Sequence, residues 1–442
     1  MKRTIKKTAV LGSGIMGSRI ACHFANIGLE VLLLDIVPKE RSPGEKEKGL
    51  DENSPEFRNR IVNQSLQTAI KSNPSPLYHK KFADRIKTGN FEDDLKKISS
   101  CDWVIEAIIE DLGIKKNLFE QVEKYRQPGS LITSNTSGIP IHLMTDGRTD
   151  DFKSHFCGTH FFNPPRYLKL LEIIPTEYTD MEVVEFFQDY GKLFLGKTTV
   201  LSKDTPAFIS NRIGIYAILK AVQSMQKLGL GIDEVDRLTG TAIGRPKSAT
   251  FRTSDIVGLD TLIKVANNLY ESLENDEQRE MFKLPEIIYE LEKKNWLGEK
   301  TKQGFYKKTK DKKGKTEILT LDLKSFEYKP KKKVKFASIG ASKAIDDLKQ
   351  KFKILFSGKD KATQFYKDSF YGLFQYITYR IPEITDDLYK IDEGIKAGFG
   401  WEMGPFETWD ALGINNTLKE MEDAGYNPAT WAVSYTHLTL PT

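Results

Sequence analysis

The sequence predicts an α/β chain: a doubly wound parallel sheet, then an all-helical domain, then a partial second copy of that domain. Three observations carry this. Residues 8–35 read as strand, glycine turn, helix, strand. Short apolar strands return up to residue 174, past a polar interruption. From Pro206 the apolar residues recur at helical spacing, and a motif in that helical region reappears later in the chain.

Each element has a local reason. Thr8-Ala9-Val10-Leu11 is a short apolar strand, and Gly12-Ser13-Gly14-Ile15-Met16-Gly17 turns the chain into a helix. That helix, Ser18 to Asn26, keeps Ala21 and Ala25 small for close packing, and Gly28 caps it. Glu30-Val31-Leu32-Leu33-Leu34-Asp35 is the second strand, ending in an acid. Residues 38–97 read as a polar helical insertion, helical near Phe57 to Ser72, with basic Arg58, Arg60, Lys71, Lys80 and Lys81. Strands resume at Trp103 to Ala107, Leu131 to Thr133 and His160 to Phe162, and the run Leu170 to Ile174 closes a first domain at 1–202.

Pro206 suits a first helical turn, which opens a helical domain at 203–306. The lysine-rich stretch 307–341 reads as a solvated linker. Beyond it, 342–433 reads as a second helical copy: Phe251-x-Thr253-x-Asp255-x-x-Gly258 recurs as Phe406-x-Thr408-x-Asp410-x-x-Gly413. Asp236 and Gly244 correspond to Asp392 and Gly400, with a one-residue slip between the halves. Residues 434–442 form an atypical tail.

Composition narrows the function. The 442 residues are 39% hydrophobic and 29% charged, as in a soluble globular protein, and no apolar run reaches membrane-spanning length. The basic start, Met1 to Lys7, superficially resembles a secretion signal, but the apolar stretch after it breaks at once into Gly12-Ser13-Gly14. Cys22, Cys101 and Cys157 show neither paired nor metal-ligand spacing, so a reduced, cytoplasmic setting without a metal is expected. A net charge of +5 gives little support for nucleic-acid binding.

The glycine turn has the context that a dinucleotide site requires: after a strand, before a helix, with Asp35 closing the next strand. Gly12 permits the tight turn, Gly14 lets the backbone approach a pyrophosphate, and Gly17 lets helix lie against strand. The amides at Ile15 and Met16 open the helix N-terminus, which favours phosphate. Asp35 suits two ribose hydroxyls and would repel a 2′-phosphate, which selects NAD over NADP. Further on, Ser134-Asn135-Thr136-Ser137 ends an apolar strand, where doubly wound sheets place ligands. His160 heads Phe161-Phe162-Asn163-Pro164, and Glu172 lies inside Leu170-Leu171-Glu172-Ile173-Ile174, where a carboxylate must be paired or protonated.

These pieces, with Glu106-Ala107-Ile108-Ile109-Glu110 and Lys203-Asp204-Thr205-Pro206 leading to Asn211-Arg212, resemble the 3-hydroxyacyl-CoA dehydrogenases, whose first domain has the Rossmann fold. The resemblance implies NAD-dependent oxidation of a 3-hydroxyacyl-CoA in fatty acid β-oxidation. It makes His160 the general base, Glu172 its orienting carboxylate, and Ser137 and Asn211 hydrogen-bonding partners of the substrate. It also places Glu110, Lys115, Asn163 and Lys300 around NAD, although Lys302 stands where the family usually has glycine. For coenzyme A the basic insertion at 58–81 is a reasonable phosphate partner. The segment Ile243 to Phe251 resembles the large fused β-oxidation proteins, some of which continue into an enoyl-CoA hydratase module; these 442 residues give no ground to expect hydratase activity. Two other readings stay open: a non-catalytic NAD-binding subunit or scaffold, and a β-hydroxyacid dehydrogenase acting on a free hydroxy acid.

Overall fold

A computed structural model describes residues 3–310 and 314–435, in two compact units, Met1–Phe208 and Ile209–Thr442. In the first unit eight strands form one sheet: β1 (Lys7–Leu11), β2 (Glu30–Asp35), β3 (Ile86–Asn90), β4 (Trp103–Glu106), β5 (Leu131–Ser134), β6 (Phe156–Phe161), β7 (Leu170–Pro175) and β8 (Thr198–Leu201). Their order is β3-β2-β1-β4-β5-β6-β7-β8. All neighbours pair in parallel except β6 and β7, which are antiparallel.

The sequence runs are apolar throughout because both faces of the sheet are covered. Strand periodicity divides them: Val10, Val31, Leu33, Trp103 and Ile105 enter one apolar cluster, and Ala9, Leu11, Leu32, Leu34 and Val104 enter the other. Helix α1 (Ile15–Asn26) covers the first cluster through Ile20, Ala21 and Phe24; helix α2 (Leu112–Tyr125) covers the second through Leu118, Phe119 and Val122. Trp103 is fully buried, packs at a tilt against Phe24 with ring centroids 4.8 Å apart, and satisfies its indole N–H on Thr133 Oγ1 at 2.9 Å.

The insertion at 38–97 is not purely helical. It contains the short helices Pro43–Glu47 and Pro55–Arg58, the longer Arg60–Lys71, and then β3, which pairs with β2 as an edge strand. Its sequence, Ile-Lys-Thr-Gly-Asn, has a single large apolar residue, so it carries no strand signal of its own. Strand β8 is four residues long and equally silent.

The helix after the sheet begins at Ser210, not at Pro206. Ala207 and Phe208 hold left-handed backbone, at φ 60° and 55°, which interrupts the turn that Pro206 would start. The helix then runs Ser210–Leu228 and ends on Gly229 at φ 62°. Residues 307–341 are not a plain linker. Strands β9 (Tyr306–Lys310), β10 (Thr316–Asp322) and β11 (Glu327–Pro330) form an antiparallel sheet in the order β11-β10-β9. The lysines conceal it: Tyr306 and Leu321 are buried while most of the charged side chains face outward.

The repeated motifs have matching local structure. Asp236 accepts from the amides of Phe251 and Arg252 at 2.7 and 3.1 Å, at the start of the helix Phe251–Val257. Asp392 accepts from Phe406 and Glu407 at 2.8 and 3.0 Å, at the start of the helix Pro405–Leu412. Gly244 and Gly400, at φ 65° and 68°, both end the preceding turn in left-handed backbone. The one-residue slip falls between those glycines and the motif residues Phe251 and Phe406. From Thr436 on, the tail lies outside the described residues.

Burial raises the Asp392 carboxyl to about 7, against the lowering effect of the two amides. The native state therefore holds a proton that the unfolded chain has released, between the ordinary value of 3.8 and about 7. This contribution to stability is present below that window and lost as pH rises through it, by at most about 1.4 kcal/mol per pH unit. Urea unfolding followed from acid to neutral pH should show a steeper decline for the parent than for Asp392→Asn; parallel curves would refute the assignment.

Candidate active site

The glycine turn sits at the C-terminal end of β1, where the sheet order reverses between β1 and β4. Gly12 holds φ 99° and its amide donates to Leu34 O at 2.8 Å. A Cβ at Gly17 would lie 1.8 Å from the Gly12 carbonyl oxygen, so helix and turn touch backbone to backbone. Gly14 differs: a Cβ there would meet no atom within 4 Å. Packing does not demand that glycine, whereas a ligand approaching the backbone would. No side chain among the described residues caps the N-terminus of α1, which leaves the Ile15 and Met16 amides for a phosphate. Three isoleucines at the edges of this turn, Ile15, Ile36 and Ile109, are 67%, 54% and 66% exposed. These features fit a dinucleotide. Asp35 accepts from the Ser13 amide and hydroxyl at 2.6 and 2.5 Å, so the carboxylate expected to meet ribose also fixes the turn.

A buried polar network links the ends of β4 and β5. Lys115, expected beside the cofactor, is 1% exposed and held between Glu106 at 2.5 Å and Glu110 at 3.2 Å. Glu106, fully buried, also accepts from the Ile108 amide at 2.7 Å and the Ser134 hydroxyl at 2.5 Å. Glu110 accepts from Thr136 Oγ1 at 2.7 Å and from the Ser137 amide at 2.8 Å. Burial pushes the Glu106 carboxyl up, and the Lys115 ammonium only partly offsets this. Burial also acts on Glu110, but Lys115, Thr136 and Ser137 outweigh it and hold that carboxyl below its ordinary value. Sequence reasoning gave Glu106 no role. The available signal was an acid closing the apolar strand Trp103-Val104-Ile105, as Asp35 closes the second strand.

His160 and Glu172 face each other across the antiparallel β6–β7 ladder, where the register pairs them directly. Nδ1 of His160 lies 2.7 Å from Glu172 Oε2, and the residues are 5% and 0% exposed. The rings of Phe162 and Phe208 lie 4.7 and 5.6 Å from the imidazole. A third residue fixes the strand end: Asn135 Oδ1 accepts from the Phe161 amide at 2.9 Å, tying the loop that carries Ser137 to β6. Asn163 is exposed in the loop after β6, and Ser137 is half-buried.

The remaining candidates belong to the second unit. Asn211 is half-buried in the first turn of the helix Ser210–Leu228. Lys300 pairs with Asp260 and is about half exposed. Lys302 holds φ 62°, which explains why glycine suits that position. Lys302→Gly should stabilise the unit by about 0.5–1 kcal/mol, the left-handed strain relieved less the added chain entropy. A fall in melting temperature would contradict this. Of the basic insertion residues, Arg58 pairs with Asp93 and Glu92, and Arg60 with Glu45, while Lys71, Lys80 and Lys81 are exposed. No helix among the described residues is long and apolar enough to cross a membrane, and none of their His, Cys, Asp and Glu groups could hold a metal ion.

Free amides at a strand end and a carboxylate-held imidazole on the same sheet describe a nucleotide-dependent oxidoreductase domain. Residues 7–205 match the family described as 3-hydroxyacyl-CoA dehydrogenase, NAD binding domain, and residues 208–308 match its C-terminal domain. A probable 3-hydroxyacyl-CoA dehydrogenase of Bacillus subtilis is 46% identical over 98% of this chain, which spans 54% of that protein's length. A second probable 3-hydroxyacyl-CoA dehydrogenase, from Deinococcus radiodurans, is 46% identical over 72% of this chain and 86% of its own length. The chain belongs to the 3-hydroxyacyl-CoA dehydrogenase family and carries its NAD-binding domain. A crystal structure of 3-hydroxybutyryl-CoA dehydrogenase from Escherichia coli shares the fold, with a TM-score of 0.69 at 22% identity over 99% of both chains.

Proposed function

We propose that this chain is an NAD-dependent (S)-3-hydroxyacyl-CoA dehydrogenase of fatty acid β-oxidation, oxidising the 3-hydroxyl to a ketone. The buried His160–Glu172 pair carries the reading. A carboxylate only accepts, so the His160 nitrogen facing it bears the hydrogen, which leaves the Nε2 lone pair for the substrate proton. His160 Nε2 would take the 3-hydroxyl proton, and Glu172 would stabilise the resulting imidazolium. NAD, when bound, supplies the hydride acceptor; Gly12 to Gly17, Asp35, Glu110, Lys115, Asn163 and Lys300 would hold it. Ser137 and Asn211 would hydrogen-bond the oxygen at C3.

Lys71, Lys80 and Lys81 are the basic insertion residues best suited to coenzyme A phosphates, since Arg58 and Arg60 are already paired. The matched aspartates Asp236 and Asp392 support reading 342–433 as a second copy of the helical domain. Fusion to, or association with, an enoyl-CoA hydratase module accords with the resemblance to fused β-oxidation proteins. Three free, buried cysteines support a cytoplasmic setting.

The test is NADH absorbance with NAD and (S)-3-hydroxybutyryl-CoA, run beside free (S)-3-hydroxybutyrate. Turnover of the thioester alone supports this reading. Turnover of the free acid alone would favour a β-hydroxyacid dehydrogenase, and NAD binding without turnover of either a scaffold.

A further inference from the structure

Glu106 is fully buried on the last residue of β4, yet nothing in the chemistry above uses it. It touches three separate elements: the Ser134 hydroxyl on β5, the Ile108 amide after β4, and the Lys115 ammonium on α2. A carboxylate without solvent is tolerated only when its lone pairs and charge are met, and these three contacts do that. Lys115 is shared, because the same ammonium lies 3.2 Å from Glu110. Glu110 in turn holds the loop of Thr136 and Ser137 by the Thr136 hydroxyl and the Ser137 amide, with the Ser137 hydroxyl at 3.4 Å.

The two carboxylates thus divide one cation. Glu106 sits on the rigid end of a strand and draws Lys115 inward; Glu110, half-buried after the turn, takes what remains of its charge. If Glu106 loses its charge, Lys115 pairs with Glu110 alone and draws that carboxylate away from the Ser137 amide. The displacement would pass to the Ser137 hydroxyl, the group that meets the substrate in the function proposed above.

We propose that Glu106 is a positioning residue, which sets Glu110 and the Ser137 loop through Lys115. This rests on the dehydrogenase reading for its activity readout. It concerns the alignment of the site, so its effect should fall on kcat more than on folding. A displacement of about 1 Å in such a site costs on the order of 100-fold in rate.

The experiment compares the full chain with Glu106→Gln, Lys115→Met and the double variant. It measures kcat, KM for both substrates, NAD affinity by titration of protein fluorescence, and melting temperature. Expected for Glu106→Gln are a fall in kcat of about 10- to 100-fold and a change in NAD affinity through Glu110. The double variant should be no worse than the more impaired single, because both act along one path. Glu106→Asp, which keeps the charge, should recover part of the rate. Parent-like kcat and NAD affinity in Glu106→Gln, or strictly additive losses, would overturn the proposal. If Glu106→Gln does not fold, Ser134→Ala and the pair replacement Glu106→Leu with Lys115→Met decide the matter. A role confined to stability predicts that the folded variants of this second set keep the parent's kcat. A parent with no turnover would defeat the dehydrogenase reading first, and the NAD titration would still test the coupling.

Discussion

Replacing His160 with alanine is expected to lower turnover of a 3-hydroxyacyl-CoA by about 10²- to 10⁴-fold, the span usual for loss of a general base. NAD affinity should hold, because the glycine turn and α1 lie on β1 while His160 lies on β6. Removing the ring also leaves Glu172 as a buried carboxylate without its imidazole partner, so some loss of stability should accompany the kinetic one. His160→Gln, which can still donate to Glu172, separates the two: it should restore most of the stability and none of the rate. A His160→Ala enzyme that keeps a tenth or more of the parent's turnover would remove the histidine from the chemistry.

The second large effect is expected at Gly17. Its missing Cβ would stand 1.8 Å from the Gly12 carbonyl oxygen, so Gly17→Ala must drive α1 away from β1. A loss of about 1–3 kcal/mol in stability should follow, in the range for overpacking a rigid contact, together with loss of NAD binding. Gly14→Ala provides the contrast. Nothing lies within 4 Å of a Cβ at Gly14, so the variant should melt with the parent while NAD affinity falls by a factor of about ten or more, for about 1.4 kcal/mol of lost contact. If Gly14→Ala binds NAD like the parent, the dinucleotide does not approach the backbone there.

Much of the first unit could be read from the chain because its signals are local. The apolar strands, the glycine spacing and Asp35 fall within one short stretch, and the acid inside an apolar run marked Glu172. What escaped has physical reasons. β3 and β8 owe their pairing to neighbours, since neither Ile-Lys-Thr-Gly-Asn nor Thr-Thr-Val-Leu buries enough to announce itself. In β9 to β11 the lysines on the outward positions mask a period of two. Pro206 opens no helix because Ala207 and Phe208 turn left-handed, which no residue type there foretells. Resemblance set Lys115 beside the cofactor, but an isolated lysine in a sequence gives no sign of two carboxylates folded against it.

The antiparallel step between β6 and β7 has a consequence for how such an enzyme can diversify. His160 and Glu172 meet because the ladder sets them opposite one another, not because the loop between them has a particular length. Residues 164–169 could therefore lengthen, shorten or change composition over evolutionary time while the His160–Glu172 pair stays in register. A lineage could vary that loop without moving His160 or Glu172 out of register.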